Sequence, residues 1–404
     1  MKPSILFVDD EPNVLSGLKR TLYPKRNEWI MAFCDGGRQA LAELESTDYD
    51  ILITDLLMPD MDGASLLEEV FTRHPSVIRL VLSGHSDKKM ILKVSRYAHQ
   101  FLAKPLQSEL LARTINRMIA LRDVITNPAV QQLAASLDRL PALPAVHQRI
   151  LSELQAPQPS MLRLGELITQ DMGLSATMLK LVNSSFFGLR STVSSPAYAV
   201  NLLGLDVIAG LVLSAGLFNS FDAAKFPGYH LDGLWQHSLN TGLVCKALAK
   251  AEGLDTARQD DLYIAGILHD IGKLVLLTSA PQVYAQTIAV CQKDNTAIWR
   301  TENAILGCTH AELGAYLLSL WGFSEAVIPW VNAHHMVRAY PGEEPLLAGI
   351  VHASNALEHE INVRHPGYDR QRWNLDAMER MGLSPRLADW RAVAEGVLGQ
   401  ESAP

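Results

Sequence analysis

Little in this sequence points to an oxidising, membrane-bound or nucleic-acid-facing role. Its four cysteines, Cys34, Cys245, Cys291 and Cys308, are scattered over 404 residues with no CxxC pair. That spacing argues against a disulfide framework and a zinc–sulfur site, and for reduced, buried thiols in a cytosolic protein. Positive charge is also short: the formal net charge is −8, and the second half lacks a dense Lys/Arg stripe or a basic recognition helix. Broad attraction to acidic lipid and direct contact with nucleic acid are therefore not expected. The longest apolar stretch, VIAGLVLSAGLF (207–218), is too short to span a bilayer, so no membrane insertion is expected. The N-terminus, MKPSILFVDDEP, reaches two aspartates after four apolar residues, unlike a signal peptide. The expectation is a cytoplasmic protein, long enough for two or more domains.

The opening third alternates short apolar runs with helical patterns. ILFV (5–8), ILIT (51–54), RLVLS (79–83) and QFLA (100–103) read as buried parallel strands, with a shorter one at WIMAFC (29–34). Between them, GGRQALAELES (36–46) and GASLLEEVFTRH (63–74) are amphipathic. This alternation argues for a doubly wound α/β sheet that binds ligands at the carboxyl ends of its strands. Polar residues sit at those ends: Asp9 and Asp10 after strand one, Asp55 after strand three, Ser83 at strand four and Lys104 after strand five. Carboxylates crowded at one edge repel each other, so a divalent cation is their natural partner, and oxygen-only ligands favour magnesium. A lysine and a hydroxyl beside them could hold phosphoryl oxygens.

The motifs VDDEP, DLLMPDMDG, LSG and AKP, in this order and spacing over residues 1–122, resemble the receiver domain of two-component response regulators, a flavodoxin-like five-stranded fold. The resemblance implies that Asp55 accepts phosphate from a histidine kinase. It implies magnesium held by Asp9, Asp10, Asp55 and the Leu57 carbonyl, phosphoryl contacts from Ser83 and Lys104, and an aromatic switch at Phe101. A helix over 108–125 carries an apolar face (Leu110, Leu111, Ile115, Met118, Ile119, Ile125) and leads into a helical linker over 123–138. Such a helix could pass a rearrangement onward, pair two chains into a homodimer, or serve as a packed connector. The basic face DKKMILKVSRY (87–97) could also support receiver dimers.

From 139 on, strand patterns nearly vanish and helical periods dominate, broken by Gly and Pro. LPALP, LVNSSFFG, AVNLLG, LWQHS and AGILHDIGKLVL resemble the HDOD domain, an all-α output module related to HD-type metal phosphohydrolases. The domain is expected over 139–340, with C-terminal helices over 341–404 packing on it. The resemblance implies output through contacts with a downstream signalling protein, because most HDOD domains have lost the catalytic set.

His237, His269, Asp270, His310, His334 and His335 nevertheless match ligand positions in the cyclic-dinucleotide phosphodiesterase branch of that superfamily. Imidazole with carboxylate suits iron, manganese or zinc. Lys273, one turn past the doublet, could meet a phosphate. Three departures stand against a full site. The last ligand position holds Asn355, a neutral amide. A glutamate position of some members holds Gly233, with Asp232 one residue off. The stretch after the paired histidines, HHMVRAYPGEEP, keeps Tyr340 and Pro341 but has Met336, Val337 and Ala339 where the family has acidic and glycine residues. The reading is a weakened or vestigial metal site. Without metal, His269 would hydrogen-bond a carbonyl, and Asp270 would pair with Lys273 or cap a neighbour. His352, His359 and His365 read as ordinary packing or surface residues, and Thr309 with Glu312 fits a capping box.

Overall fold

The computed structural model describes residues 2–83, 97–104, 108–124, 158–183, 192–204, 231–321, 326–335, 344–362 and 373–400, with isolated positions between them. All of LPALP, nearly all of the linker over 125–138 and of the 87–97 face, His365, and residues 336–341 lie outside these. The chain divides into two compact units: Met1–Arg139 with Lys180–Ser191 and Leu320–Gly322, and the remainder.

In the first unit, β1 (Ser4–Val8), β2 (Ile30–Cys34), β3 (Ile51–Asp55), β4 (Ile78–Ser83) and β5 (Gln100–Ala103) form one sheet in the order β2-β1-β3-β4-β5, every pair parallel. This is the flavodoxin-like order, with strand order reversing beside β1 and β3. Both faces of those two strands are covered: Ile5, Leu6, Phe7, Leu52 and Ile53 have no exposed surface. Among the described residues up to 139, the α-helices of this unit are α1 (Pro12–Thr21), α2 (Gly37–Ser46), α3 (Gly63–Arg73) and α4 (Ser108–Val124). The turn from β3 into α3 is tight. Asp62 caps α3 by accepting from the Ser65 N–H at 2.7 Å, and a Cβ on Gly63 would lie 2.0 Å from the Asp55 carbonyl oxygen.

Beyond residue 139 the described chain is helical, with no strand among the described residues. Its helices are α5 (Met161–Thr169), α6 (Met172–Val182), α7 (Pro196–Leu203), α8 (Leu231–Ala251), α9 (Thr256–Leu268), α10 (Ile271–Ser279), α11 (Pro281–Asp294), α12 (Ile298–Leu306), α13 (His310–Leu320), α14 (Val327–Ala333), α15 (Pro345–Ile361), α16 (Leu375–Arg380) and α17 (Leu387–Gln400). Their ends follow local chemistry. Ser195 caps α7, and Gly204, at φ +80°, stops it. Before α13 the capping box closes: the Thr309 N–H donates to Glu312 at 2.8 Å, and the Glu312 N–H to Thr309 at 3.2 Å.

The stretch GILHDIGKL spans the junction of α9 and α10, and its two glycines draw neighbours onto that junction. A Cβ on Gly266 would lie 2.7 Å from the Gly242 Cα in α8, and one on Gly272 would lie 2.0 Å from the His310 carbonyl in α13. Small residues here let α8 and α13 close on the doublet from two sides. Thr256–Ser279 is long and apolar enough to cross a membrane by length and composition, but 83% of its apolar window is buried inside the protein. It is a core segment made of α9 and α10, and it carries His269, Asp270 and Lys273.

Candidate functional site

The carboxyl edge of the sheet gathers Asp9 and Asp10 beyond β1, Asp55 at the end of β3 and Lys104 beyond β5. Carboxylate oxygens of Asp9, Asp10 and Asp55 lie within 4.8 Å of one another. Lys104 Nζ sits 2.8 Å from Asp9 Oδ2 and 2.9 Å from Asp55 Oδ1. The Glu11 N–H donates to Asp9 Oδ1 at 3.0 Å, fixing that side chain. Burial pushes the Asp55 carboxyl above its ordinary value against the pull of Lys104. Burial works against the Lys104 ammonium too, but its hydrogen bonds and charge contacts with Asp9 and Asp55 hold it above its ordinary value. Leu57 follows in the loop after β3. Phe101 is buried in β5, and Ser83 ends β4 in register with Ala103; the Ser83 side chain lies outside the described atoms.

In the helical part, α8 supplies His237, the α9–α10 junction His269 and Asp270, α13 His310, and the end of α14 His334 and His335. Asp270 lies at the centre. Its Oδ1 is 3.1 Å from His310 Nε2 and 3.7 Å from His334 Nε2. Its Oδ2 is 2.9 Å from Lys273 Nζ, 3.4 Å from His269 Nε2 and 3.7 Å from His237 Nε2. Donor atoms of Asp270, His310, His334 and His335 fall within 4.8 Å of one another, as do those of His237, His269 and Asp270. One carboxylate thus faces two groups of histidines, and all of these side chains are buried.

Hydrogen bonds set the rings. His269 Nδ1 donates to the Gly266 carbonyl at 2.6 Å and His334 Nδ1 to the Val331 carbonyl at 2.6 Å. His237 Nε2 meets His269 Nε2 at 3.1 Å, and His335 Nε2 meets His310 Nε2 at 2.8 Å. Burial, with neighbouring histidines, holds His334 and His335 well below the ordinary imidazole value. Asp270 is held well below its ordinary value despite burial, by His269 and Lys273.

Two comparisons decide the family. A model of the response regulator receiver domain matches residues 5–116, and a model of the HDOD domain matches residues 140–337. The chain is a receiver–HDOD response regulator. It is similar to an uncharacterized protein of Treponema pallidum (strain Nichols), 31% identical over 254 residues, covering 61% of this chain and 48% of that protein. It is also similar to the transcriptional regulatory protein ZraR of Escherichia coli O157:H7, 25% identical over 203 residues, covering 50% of this chain and 44% of ZraR. The chain therefore spans less than half the length of these curated relatives. The crystal structure of the MmoQ response regulator from Methylococcus capsulatus (strain Bath) shares the fold, with a TM-score of 0.50 at 22% identity over 63% of this chain and 98% of that one.

Two further buried carboxylates stand behind these rings, one in the HDOD domain and one in the C-terminal helices. Glu302 in α12 accepts from His310 Nδ1 at 2.6 Å and from the His310 N–H at 2.9 Å. Glu358 in α15 pairs with His237 Nδ1 and accepts from Asn240 Nδ2 at 3.1 Å. Burial disfavours charge on both histidines, yet Glu302 lifts His310 to about 9 and Glu358 raises His237. In each case the outer nitrogen is anchored and Nε2 is turned inward, an arrangement that orients metal-binding imidazoles elsewhere. The signal in the sequence was faint: Glu358 closes the same VHASNALE stretch that carries Asn355. His352 is a packing residue as read, its Nδ1 on the His334 carbonyl at 2.7 Å and its Nε2 accepting from the Asn374 N–H at 3.1 Å. His359 is closer to the site than the sequence suggested, its ring 4.3 Å from that of His237.

The donor set has lone pairs that the protein leaves unused. Asp270 Oδ1 and His334 Nε2 are buried without a hydrogen bond, although His310 Nε2 lies 3.1 Å from the former. Two bare acceptors 3.7 Å apart fit a cation between them. Asn355 is buried with both amide atoms unpaired.

Proposed function

We propose that this response regulator takes a phosphoryl group from a histidine kinase onto Asp55 and that the change controls an HDOD domain acting through contacts with a downstream signalling protein. The supporting observation is the Lys104 ammonium lying between Asp9 and Asp55, with Asp10 completing the carboxylate cluster. In the transfer, an Asp55 oxygen forms the new O–P bond while the N–P bond of the phosphohistidine breaks, and the imidazole leaves. Asp9, Asp10, Asp55 and the Leu57 carbonyl would hold magnesium, which supplies countercharge to the phosphoryl oxygens. Lys104 adds a fixed cation at the same oxygens, and Ser83 a hydroxyl. Phe101 and Ser83 would report the modification by shifting a two-state population. Labelling with a small phosphodonor tests this. The full chain should label only with magnesium, and Asp55→Ala should not label. An unlabelled wild type, or equal labelling of the variant, would overturn the assignment.

A second reading, a receiver-controlled metal phosphohydrolase, is favoured by Asp270, His310, His334 and His335 keeping their donors together. Those residues would hold an iron, manganese or zinc ion, which could lower the pKa of a bound water. Lys273, held on Asp270, is the nearest cation for a phosphate ester. Hydrolysis of a cyclic dinucleotide to its linear form or mononucleotides, or of a simple phosphodiester to its monoester and alcohol, by wild type but not by His334→Ala would support it. No turnover by the metal-loaded chain would rule it out.

A further inference from the structure

We propose that the HDOD domain binds one divalent first-row ion and not two, on Asp270 Oδ1, His310, His334 and His335, while Lys273 and Asn355 keep a second ion from the opposite face of Asp270. This rests on the metal-binding part of the second reading and requires no hydrolysis.

The two faces of Asp270 differ in what they leave free. On the Oδ1 face, Oδ1 itself and His334 Nε2 have no hydrogen-bond partner although both are buried. The rings around them are set from behind: His310 by Glu302 at 2.6 Å, His334 by the Val331 carbonyl at 2.6 Å. A carbonyl or carboxylate can only accept here, so each Nδ1 carries the hydrogen and each Nε2 turns to Asp270. Three imidazoles and one carboxylate form a donor set for zinc, iron or manganese rather than magnesium.

On the Oδ2 face the protein has already filled the valences. Lys273 Nζ lies 2.9 Å from Oδ2, bringing a buried cation to the oxygen a second ion would need. His269 gives its Nδ1 hydrogen to the Gly266 carbonyl at 2.6 Å, so its Nε2 is an acceptor; the hydrogen between it and His237 Nε2, 3.1 Å away, therefore sits on His237. Glu358 takes the other nitrogen of His237. The remaining family position, Asn355, adds no charge. Each face has one such histidine pair to open, His335 and His310 standing 2.8 Å apart on the Oδ1 face, so the difference between them is Lys273: a second divalent ion would have to break the Lys273–Asp270 pair as well and then sit beside an ammonium in a buried setting, where like charges repel most.

Titration of the EDTA-stripped full chain with Co²⁺, read by its visible ligand-field bands, tests this, with bound metal counted by mass spectrometry after desalting. Wild type should reach its endpoint at one Co²⁺. The bands should disappear in His334→Ala and persist at the same endpoint in His237→Ala, both variants being checked by circular dichroism; His335→Gln serves where His334→Ala unfolds. The double variant Lys273→Gln/Asn355→Asp should move the endpoint to two. A wild-type endpoint at two, or a band lost in His237→Ala but kept in His334→Ala, would overturn the single-ion assignment. A double variant that stays at one would overturn the role given to Lys273 and Asn355. A chain that takes up no Co²⁺ at all would remove the metal-binding reading itself.

Discussion

Glu302 shows how much of this site hangs on one residue. It has no exposed surface and accepts two hydrogen bonds from His310, one from the ring and one from the backbone. Removing one member of a buried charged pair leaves the other uncompensated, at a cost of about 3–5 kcal/mol. Glu302→Ala should lose that much in denaturant unfolding of the HDOD domain. Glu302→Gln, which keeps an acceptor for the ring, should lose about 1–3 kcal/mol. Equal, small losses for both would mean that His310 finds another partner. The same residue marks a limit of sequence reading. In IWRTENAIL a glutamate on an amphipathic helix looks like part of a solvated face, and only the arrival of α13 beside it makes it buried. Asp9, Asp55 and Lys104 were legible for the opposite reason: each lies at a strand end, and parallel strands bring their ends to one edge.

Among the elements, the junction of α9 and α10 leaves no room for a side chain. Gly272 sits where a Cβ would lie 2.0 Å from the His310 backbone, which cannot swing aside as a long side chain can. Gly272→Ala should therefore push α13 away from the doublet, costing about 1–3 kcal/mol as an overpacked core does, and it should weaken cobalt uptake as His310 withdraws. Gly17→Ala, with open space around the added Cβ inside α1, is the contrasting control: it should stabilise by about 0.5–1 kcal/mol, as alanine does in a helix interior, and leave cobalt uptake unchanged. Loss of stability without loss of cobalt would show that α13 accommodates the methyl group without moving His310. The strands are legible in the sequence to within about a residue because each centres on a short apolar run, broken in β4 only near its start by Arg79. The α1 helix went unread because only Leu15 and Leu18 of its ten residues are buried, too few to show a helical period. Gly266 and Gly272 were visible as letters, but the backbones that require them come from α8 and α13, remote in sequence.

For the whole molecule, the histidines make stability depend on pH in two opposing ways. Burial holds His269, His334, His335 and His352 below the ordinary imidazole value, so the folded chain resists protonating them. As pH falls through about 6.5 the unfolded chain takes up protons that the folded one refuses, and stability is lost. His237 and His310 act in the other direction. Their raised values, His310 at about 9, add stability that is complete below the unfolded imidazole range and is lost as pH climbs toward 9. The metal-free HDOD domain should thus be most stable near pH 6.5, with its melting temperature falling on both the acid and the alkaline side. Glu302→Gln removes the carboxylate that raises His310, so it should make the alkaline limb shallower, with His237 keeping its share, and leave the acid limb in place. Calorimetry of the EDTA-treated full chain from about pH 5 to 9.5, comparing wild type with this variant, separates the two limbs. An HDOD transition that rises steadily with pH across that range would show that the His310–Glu302 pair contributes nothing to stability. It would leave burial of the four neutral histidines as the main source of the domain's pH dependence.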